Sequence, residues 1–299
     1  MSRIRVFEVG ARDGLQNEPN LVPLKDKLWL ISGLVAAGVT DLEIGAFVRP
    51  DRVRQMADTD QIYQKINSGE LKLGKAKGWS LVPNMKGLER ARALGAKNLA
   101  LFTAATESFN QRNIGMSIEQ SLKGFEEVIR AGKGIKFRGY VSTAFGCPFE
   151  GKVAPKKALK VIERLADLGV EQVSIGDTIG VGTPNQVDQI IKPALKMLGA
   201  KKVAVHFHDT RGTALANALR SIELGVTTID SSAGGLGGCP FAPGATGNLA
   251  TEDLVYMLDG LGLKSGIDLQ KLAATSLELA QRMKRTISSR YLQAYAAQC

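Results

Sequence analysis

The only two histidines of the chain, His206 and His208, stand one residue apart in the segment VAVHFHD. The Val-Ala-Val before them favours an extended strand, and side chains two apart on a strand share a face. Both imidazoles can then converge on one point, the geometry that suits a bound cation. Ordinary core histidines also fall this close, so the metal reading needs further ligands from elsewhere. Asp13 and Asn248 offer carboxylate and amide oxygens. Such a mixed oxygen and imidazole set suits Mg²⁺ or Mn²⁺, with Co²⁺ or Zn²⁺ also admitted. No cysteine pair has zinc-site spacing, and no histidine follows on a later strand, as a binuclear hydrolase would require.

The second chemical feature is the run 234–248, GGLGGCPFAPGATGN. Six glycines and two prolines in fifteen residues rule out a helix. The composition predicts a lid that closes on glycine hinges. Cys239 falls near its middle, where a thiol could act as general acid, base or nucleophile. An incidental cysteine is the plain alternative.

These residues must be positioned by the elements around them. Eight strand-like segments alternate with helical patterns, the strands at 3–9, 40–45, 77–82, 98–103, 136–143, 172–177, 203–209 and 227–231. The helical patterns fall at 24–37, 53–66, 85–94, 117–131, 155–168, 184–198, 214–224 and 251–261. The turns AAGVTD, ALGAKN, DLGVEQ, MLGAKK and ELGVTT put a glycine at each of five helix ends, where a left-handed cap is needed. Strict alternation without a linker predicts a (β/α)₈ TIM barrel over about residues 1–262. A helical extension over 263–299, with Asp268 as an N-cap, completes one catalytic domain.

In such a barrel the chemistry gathers at the C-terminal ends of the strands. Glu8, Arg12 and Asp13 fall at or after the end of the first strand, and Glu43 lies in the second. Asp177 ends the sixth; His206, His208 and Asp209 end the seventh; Asp230 lies in the eighth and Asn248 follows it. Charged groups inside apolar strands are costly unless paired or metal-bound. Their recurrence at one end predicts an active site there.

The balance of 39 basic against 29 acidic residues admits nucleic acid or phosphorylated small molecules as partners. No zinc finger, RNA-binding aromatic motif or basic helix is present, so nucleic acid is not expected. The stretches LKLGKAKG (Lys72, Lys75, Lys77) and GKGIKFRG (Lys133, Lys136, Arg138) are candidates for a basic rim around a phosphate-bearing substrate, against a plain solvated surface. No segment has the length and apolarity of a membrane span. Three scattered cysteines, Cys147, Cys239 and Cys299, make no disulfide framework. With no signal-peptide pattern, the expectation is a cytoplasmic protein.

The motifs EVGARDGLQNE, GCPFEGKV, SIGDTIGVGTP, HFHDTRGTALAN and GGLGGCPFAPGATGNLATEDLVYML together resemble the 3-hydroxy-3-methylglutaryl-CoA lyase family. HFHDTRG is similar to a stretch shared more widely among metal-dependent aldol and Claisen enzymes of the same barrel. The resemblance implies a TIM-barrel lyase that cleaves 3-hydroxy-3-methylglutaryl-CoA to acetyl-CoA and acetoacetate, as in leucine degradation and ketone-body formation. It implies a divalent metal ion and a homodimer. Asp13, His206, His208 and Asn248 match its metal ligands, Arg12 the arginine that stabilises the enolate, and Cys239 the catalytic cysteine of the lid. Glu43 and Asp177 match acidic residues lining the site, Glu8 a partner of Arg12, Gln16 a further site residue, and Glu252 a support for the lid base. The proton-abstracting base stays open between Asp13, His206 and a water held by Asp177. Arg49, Arg112, Lys25 and Lys27 are candidates to meet the phosphates of CoA. Ala11 stands where the family commonly has proline, and Arg49 where serine or histidine is usual. A related lyase, or a synthase, acting on another 3-hydroxyacyl-CoA is the alternative.

Overall fold

The computed structural model describes residues 3–238, 247–286 and 288–297. In chain order β1 is Arg5–Glu8, α1 Leu24–Ala36, β2 Asp41–Ala46, α2 Thr59–Asn67, β3 Lys77–Leu81, α3 Met85–Ala93 and β4 Asn98–Ala104. Two helices follow, α4 Glu107–Ile114 and α5 Ile118–Ala131, then β5 Lys136–Ser142. A small hairpin, β6 Gly146–Cys147 with β7 Gly151–Lys152, precedes α6 Pro155–Asp167, β8 Gln172–Asp177, α7 Pro184–Leu198 and β9 Val203–Phe207. The chain continues through α8 Ala214–Glu223, β10 Thr228–Ser231, α9 Thr251–Gly260, α10 Leu269–Met283 and α11 Arg290–Ala296.

Eight parallel strands close in the order β1-β10-β9-β8-β5-β4-β3-β2, the expected TIM barrel. Strands buried on both faces must be apolar nearly throughout, as in Val203, Ala204 and Val205 of β9, all fully buried. The helices lay their apolar faces on the outside of the barrel, and local chemistry fixes their ends. Ser117 and Gln120 form a capping box at α5, and Asp268 accepts the Lys271 N–H at 3.1 Å to cap α10. Gly38, Gly95, Gly169, Gly199 and Gly225, the five glycines of the recurring turns, all take positive φ.

The structure adds features that periodicity did not reveal. The helix expected over 53–66 is a short turn, Arg54–Met56, followed by α2. The hairpin, α4 and α11 are further additions. The strand expected over 203–209 stops at Phe207, so His208 lies just beyond it, in an antiparallel bridge to Asn248. The C-terminal helices pack back onto the start of the chain, where Arg282 on α10 pairs with Asp26 on α1 at 2.9 Å. No described helix is long and apolar enough to cross a membrane.

Candidate metal centre and active-site cavity

At the end of β1 the chain makes a wide turn over Gly10–Gly14, in which the Gly14 N–H reaches the Val9 carbonyl at 3.1 Å. Insertions of this kind recur at functional sites because they redirect side chains. Here the turn carries Arg12 and Asp13 to the C-terminal mouth of the barrel. Arg12 donates to Glu43 Oε2 on β2 through Nε at 2.6 Å and approaches it through Nη2 at 2.5 Å. Its Nη1 donates to Asp13 Oδ1 at 2.8 Å. The guanidinium is therefore held at three points while the side chain stays almost wholly buried.

Asp13, His206 and His208 come together as the sequence predicts. One ligand atom from each lies within 4.8 Å of the other two. Ligands of an octahedral divalent ion sit roughly 3–4.2 Å apart, given bond lengths of about 2.1 Å, so modest adjustment would let the trio share a cation. Asn248 joins them from the other end of the chain. Its Nδ2 donates to Asp13 Oδ2 at 3.0 Å and to the Leu236 carbonyl at 2.9 Å. Asn248 Oδ1 and His208 Nδ1 are buried with no hydrogen-bond partner among the described residues. Buried polar atoms without partners are expensive, and a cation is a partner that an amide oxygen and an imidazole nitrogen both accept. The donor set therefore fits a divalent ion.

The electrostatics of Asp13 and His208 agree, while at His206 burial is overcome by Asp230 and Asp13, which raise its pKa. Burial alone would raise the pKa of Asp13, but Arg12, the two histidines and the Asn248 hydrogen bond overcome it and hold the carboxyl at about 2. Burial, together with the neighbouring His206, lowers His208 to about 4, against the pull of Asp13. The pair thus offers an ionised carboxylate and a neutral imidazole at neutral pH, the forms a cation binds.

Above this cluster opens a cavity of about 960 Å³. Arg12, Asp13, His206 and His208 line it, as do the expected Gln16, Arg49 and Arg112. Arg49 is exposed and paired with Asp51 at 2.6 Å, and the Arg112 guanidinium lies 4.3 Å from the Phe149 ring centre. Arg52, Lys86 and Arg90 also line the cavity and were missed. All three follow β2 or β3 on the C-terminal side, so the strand-end rule could have found them.

Several expectations need correction. Glu8 does not pair with Arg12. It accepts from Gly10 N–H at 2.7 Å, Ala233 N–H at 2.9 Å and the Thr251 hydroxyl at 2.5 Å, while Glu43 takes Arg12. Glu43 and Asp177 do not line the cavity; both are fully buried. Asp177 accepts the backbone N–H groups of Val181 and Gly182 at 3.0 and 2.8 Å, clamping the loop after β8. Burial raises its pKa to about 6 against those two hydrogen bonds. Asp209 likewise serves structure, accepting the Ala214 N–H at the start of α8 at 2.9 Å.

The basic expectations change as well. Lys27 is buried against Asp58 at 2.8 Å and is closed to a phosphate. Lys25 is exposed but outside the cavity lining. The two basic stretches lead into the N-terminal ends of β3 and β5, at the opposite end of the barrel from the cavity. Arg138 is buried in the lumen, paired with Asp230.

Glu252 supports the start of the glycine-rich run as expected: its two oxygens accept the Gly234 N–H at 3.0 and 2.9 Å. With Glu8 on Ala233, two buried carboxyl groups hold consecutive amides of one turn. Burial raises Glu8 to about 7 and Glu252 to about 8, in each case against its hydrogen bonds. Cys239 and Cys299 lie outside the described residues, while Cys147 is a free, buried thiol.

Comparison with known proteins agrees with this picture. A family model described as HMGL-like matches residues 3–278. The mitochondrial hydroxymethylglutaryl-CoA lyase of Bos taurus is 46% identical over 294 residues, 98% of this chain and 89% of that protein. The solved hydroxymethylglutaryl-CoA lyase of Pseudomonas aeruginosa superposes with a TM-score of 0.95 at 40% identity, covering 100% of this chain and 99% of that one. An HMG-CoA lyase of Acinetobacter baumannii, solved with coenzyme A and 3-methylmalate, gives a TM-score of 0.92 at 37% identity, covering 98% and 95%.

Proposed function

Because the chain belongs to the HMGL-like family, we propose that it is a lyase that cleaves 3-hydroxy-3-methylglutaryl-CoA to acetyl-CoA and acetoacetate. The observation that carries this reading is the meeting of Arg12 with the Asp13, His206 and His208 trio in one cavity. Asp13, His206, His208 and Asn248 would hold a divalent ion, Mg²⁺ or Mn²⁺ by its ligand chemistry. A bound cation there supplies Lewis acidity toward the carboxylate and tertiary hydroxyl of the substrate.

The chain's own groups divide the remaining work. The acceptor of the hydroxyl proton is Asp13, His206 or a water held by Asp177. Asp13 and Asp177 each have both oxygens engaged in hydrogen bonds, and His206 turns one nitrogen toward Asp230 and the other toward Asp13. Scission of the carbon–carbon bond leaves acetoacetate and the enolate of acetyl-CoA. Arg12 has five N–H donors, and three are directed at Glu43 and Asp13. The others remain for the enolate oxygen, pre-set by those anchors so that no reorganisation is needed when charge develops. Cys239 is the proposed proton donor to the enolate carbon, on the resemblance of its loop. Gln16, Arg49 and Arg112, with Arg52, Lys86 and Arg90, form a basic cavity wall that suits the phosphates of CoA.

The test is product identification. Purified protein with Mg²⁺ or Mn²⁺ should release acetoacetate and acetyl-CoA, stop with EDTA and recover on adding the ion back. No turnover with metal present would sink the reading, and turnover confined to another 3-hydroxyacyl-CoA in a substrate panel would favour the related lyase or synthase. The bovine relative is named as mitochondrial. For this chain we propose a cytoplasmic location, a reducing compartment that the free thiol of Cys147 fits as it would equally fit a mitochondrial matrix, and a homodimer by family analogy. Cell fractionation and light scattering test the two.

A further inference from the structure

The cation site proposed above requires His206 to present Nε2 toward Asp13, and the opposite side of the ring has its own arrangement. His206 Nε2 lies 4.0 Å from Asp13 Oδ2, and the buried Nδ1 faces Asp230 Oδ2 at 3.4 Å, close to it but outside hydrogen-bond alignment. The two residues are register neighbours on the paired strands β9 and β10. Asp230 is itself immobilised. Arg138 on β5 donates to its Oδ1 through Nη2 at 2.5 Å and to its Oδ2 through Nη1 at 3.1 Å. The Ser174 hydroxyl on β8 donates to the same Oδ2 at 2.7 Å. Arg138 is fixed in turn, with its guanidinium 3.8 Å from the Phe7 ring centre and Nη1 donating to the Tyr140 hydroxyl at 2.8 Å. Elements from three strands therefore hold one carboxylate behind one imidazole.

We propose that Asp230 is a positioning residue for the cation site. It keeps the single proton of neutral His206 on Nδ1 and fixes the ring plane, so that the lone pair of Nε2 stays directed at the ion. The proposal rests on the cation reading and deepens it. Its physical basis is general: a carboxylate behind a ligating histidine sets the tautomer and orientation, and losing it costs roughly 10–100-fold in metal affinity. The competing account makes Asp230 only the counter-charge that lets Arg138 be buried. That account predicts lost stability with unchanged affinity.

The experiment measures Mn²⁺ affinity without substrate, from the electron paramagnetic resonance signal of free Mn²⁺, with circular dichroism as the check on folding. The main variant is Arg138→Met/Asp230→Asn. It removes both charges together and so leaves no lone buried ion. An amide can turn either oxygen or nitrogen toward Nδ1, so the tautomer is no longer imposed. The expected result is folded protein that binds Mn²⁺ roughly 10–100-fold more weakly than wild type. Affinity within about twofold of wild type in the folded double variant overturns the proposal. Should that variant fail to fold, Ser174→Ala decides instead. It preserves the Arg138–Asp230 pair and removes one bond to the oxygen facing His206, so a several-fold loss of affinity supports positioning and an unchanged value overturns it. Wild-type protein that binds no Mn²⁺ refutes the cation reading and this proposal together; wild-type binding with unaltered variants refutes this proposal alone.

Discussion

Replacing Glu252 with Gln should alter how stability depends on pH more than it alters stability in acid. Glu252 is fully buried at the start of α9, with both oxygens on the Gly234 N–H. Burial raises its pKa from an ordinary 4.5 to about 8, helped by the nearby charge of Glu8 and opposed by its hydrogen bonds. Between those values the folded chain keeps a proton that the unfolded chain releases. Stability is therefore fully present below pH 4.5, falls as pH rises and levels off above about 8. At about 1.36 kcal/mol per pKa unit, the shift corresponds to at most about 5 kcal/mol. Glu8, raised to about 7, acts in the same direction, and the two titrate as a coupled pair. Asp13, held at about 2, opposes only in far stronger acid. Urea unfolding between pH 6 and 9, with EDTA present, is the assay. Wild type should lose stability with a slope of up to about 1.4 kcal/mol per pH unit for each proton retained. Glu252→Gln, which cannot titrate, should flatten that slope by as much as one proton. Parallel curves for the two proteins would refute the claim that Glu252 is buried in its neutral form.

Three further outcomes are expected. Gly237→Ala should weaken Mn²⁺ binding and destabilise the fold by about 1–3 kcal/mol, because φ there is 126° and an added Cβ would sit 2.5 Å from Asn248 Nδ2; calorimetry and metal titration read both. Cys239→Ala should lower kcat by roughly 10²–10⁴-fold and leave metal affinity unchanged, so a loss of metal binding would contradict the assignment. Arg12→Lys should lower kcat by roughly 10²–10³-fold, since an ammonium cannot hold Glu43 and Asp13 and still present donors to an enolate; near-normal turnover would remove Arg12 from the chemistry.

The barrel was legible because its punctuation is local. Glycine caps and strand-end apolar runs mark each unit, and β8 and α7 fall on the residues the pattern predicts. The hairpin was not legible, since two-residue strands carry no period. Nor was α4, whose sequence ESFNQRNI is polar around most of its circumference. In the site, the HxH pair announced itself through a strand's two-residue repeat. The partners of each acid did not, because they are chosen by the fold: Arg12 finds Glu43 rather than Glu8, and Arg138 finds Asp230 across 92 positions of sequence. A buried charge is visible in a sequence, but what neutralises it is a fact about closure.

The hydrogen bond between Asn248 and Asp13 spans 235 positions and crosses the seam where β1 meets β10. The expected cation pocket is thus assembled across that seam, from Asp13 after β1, His206 and His208 at the end of β9 and Asn248 after β10. A nascent chain that has not yet delivered residue 248 holds Asp13 without its amide partner and His208 without its bridge to Asn248. Contacts of such long range are also the slow ones to form. Cation uptake would therefore report that the chain has been made past residue 248 and the seam closed, and a barrel left open there would be inactive because it is unfinished, even with both histidines at the end of β9 in place.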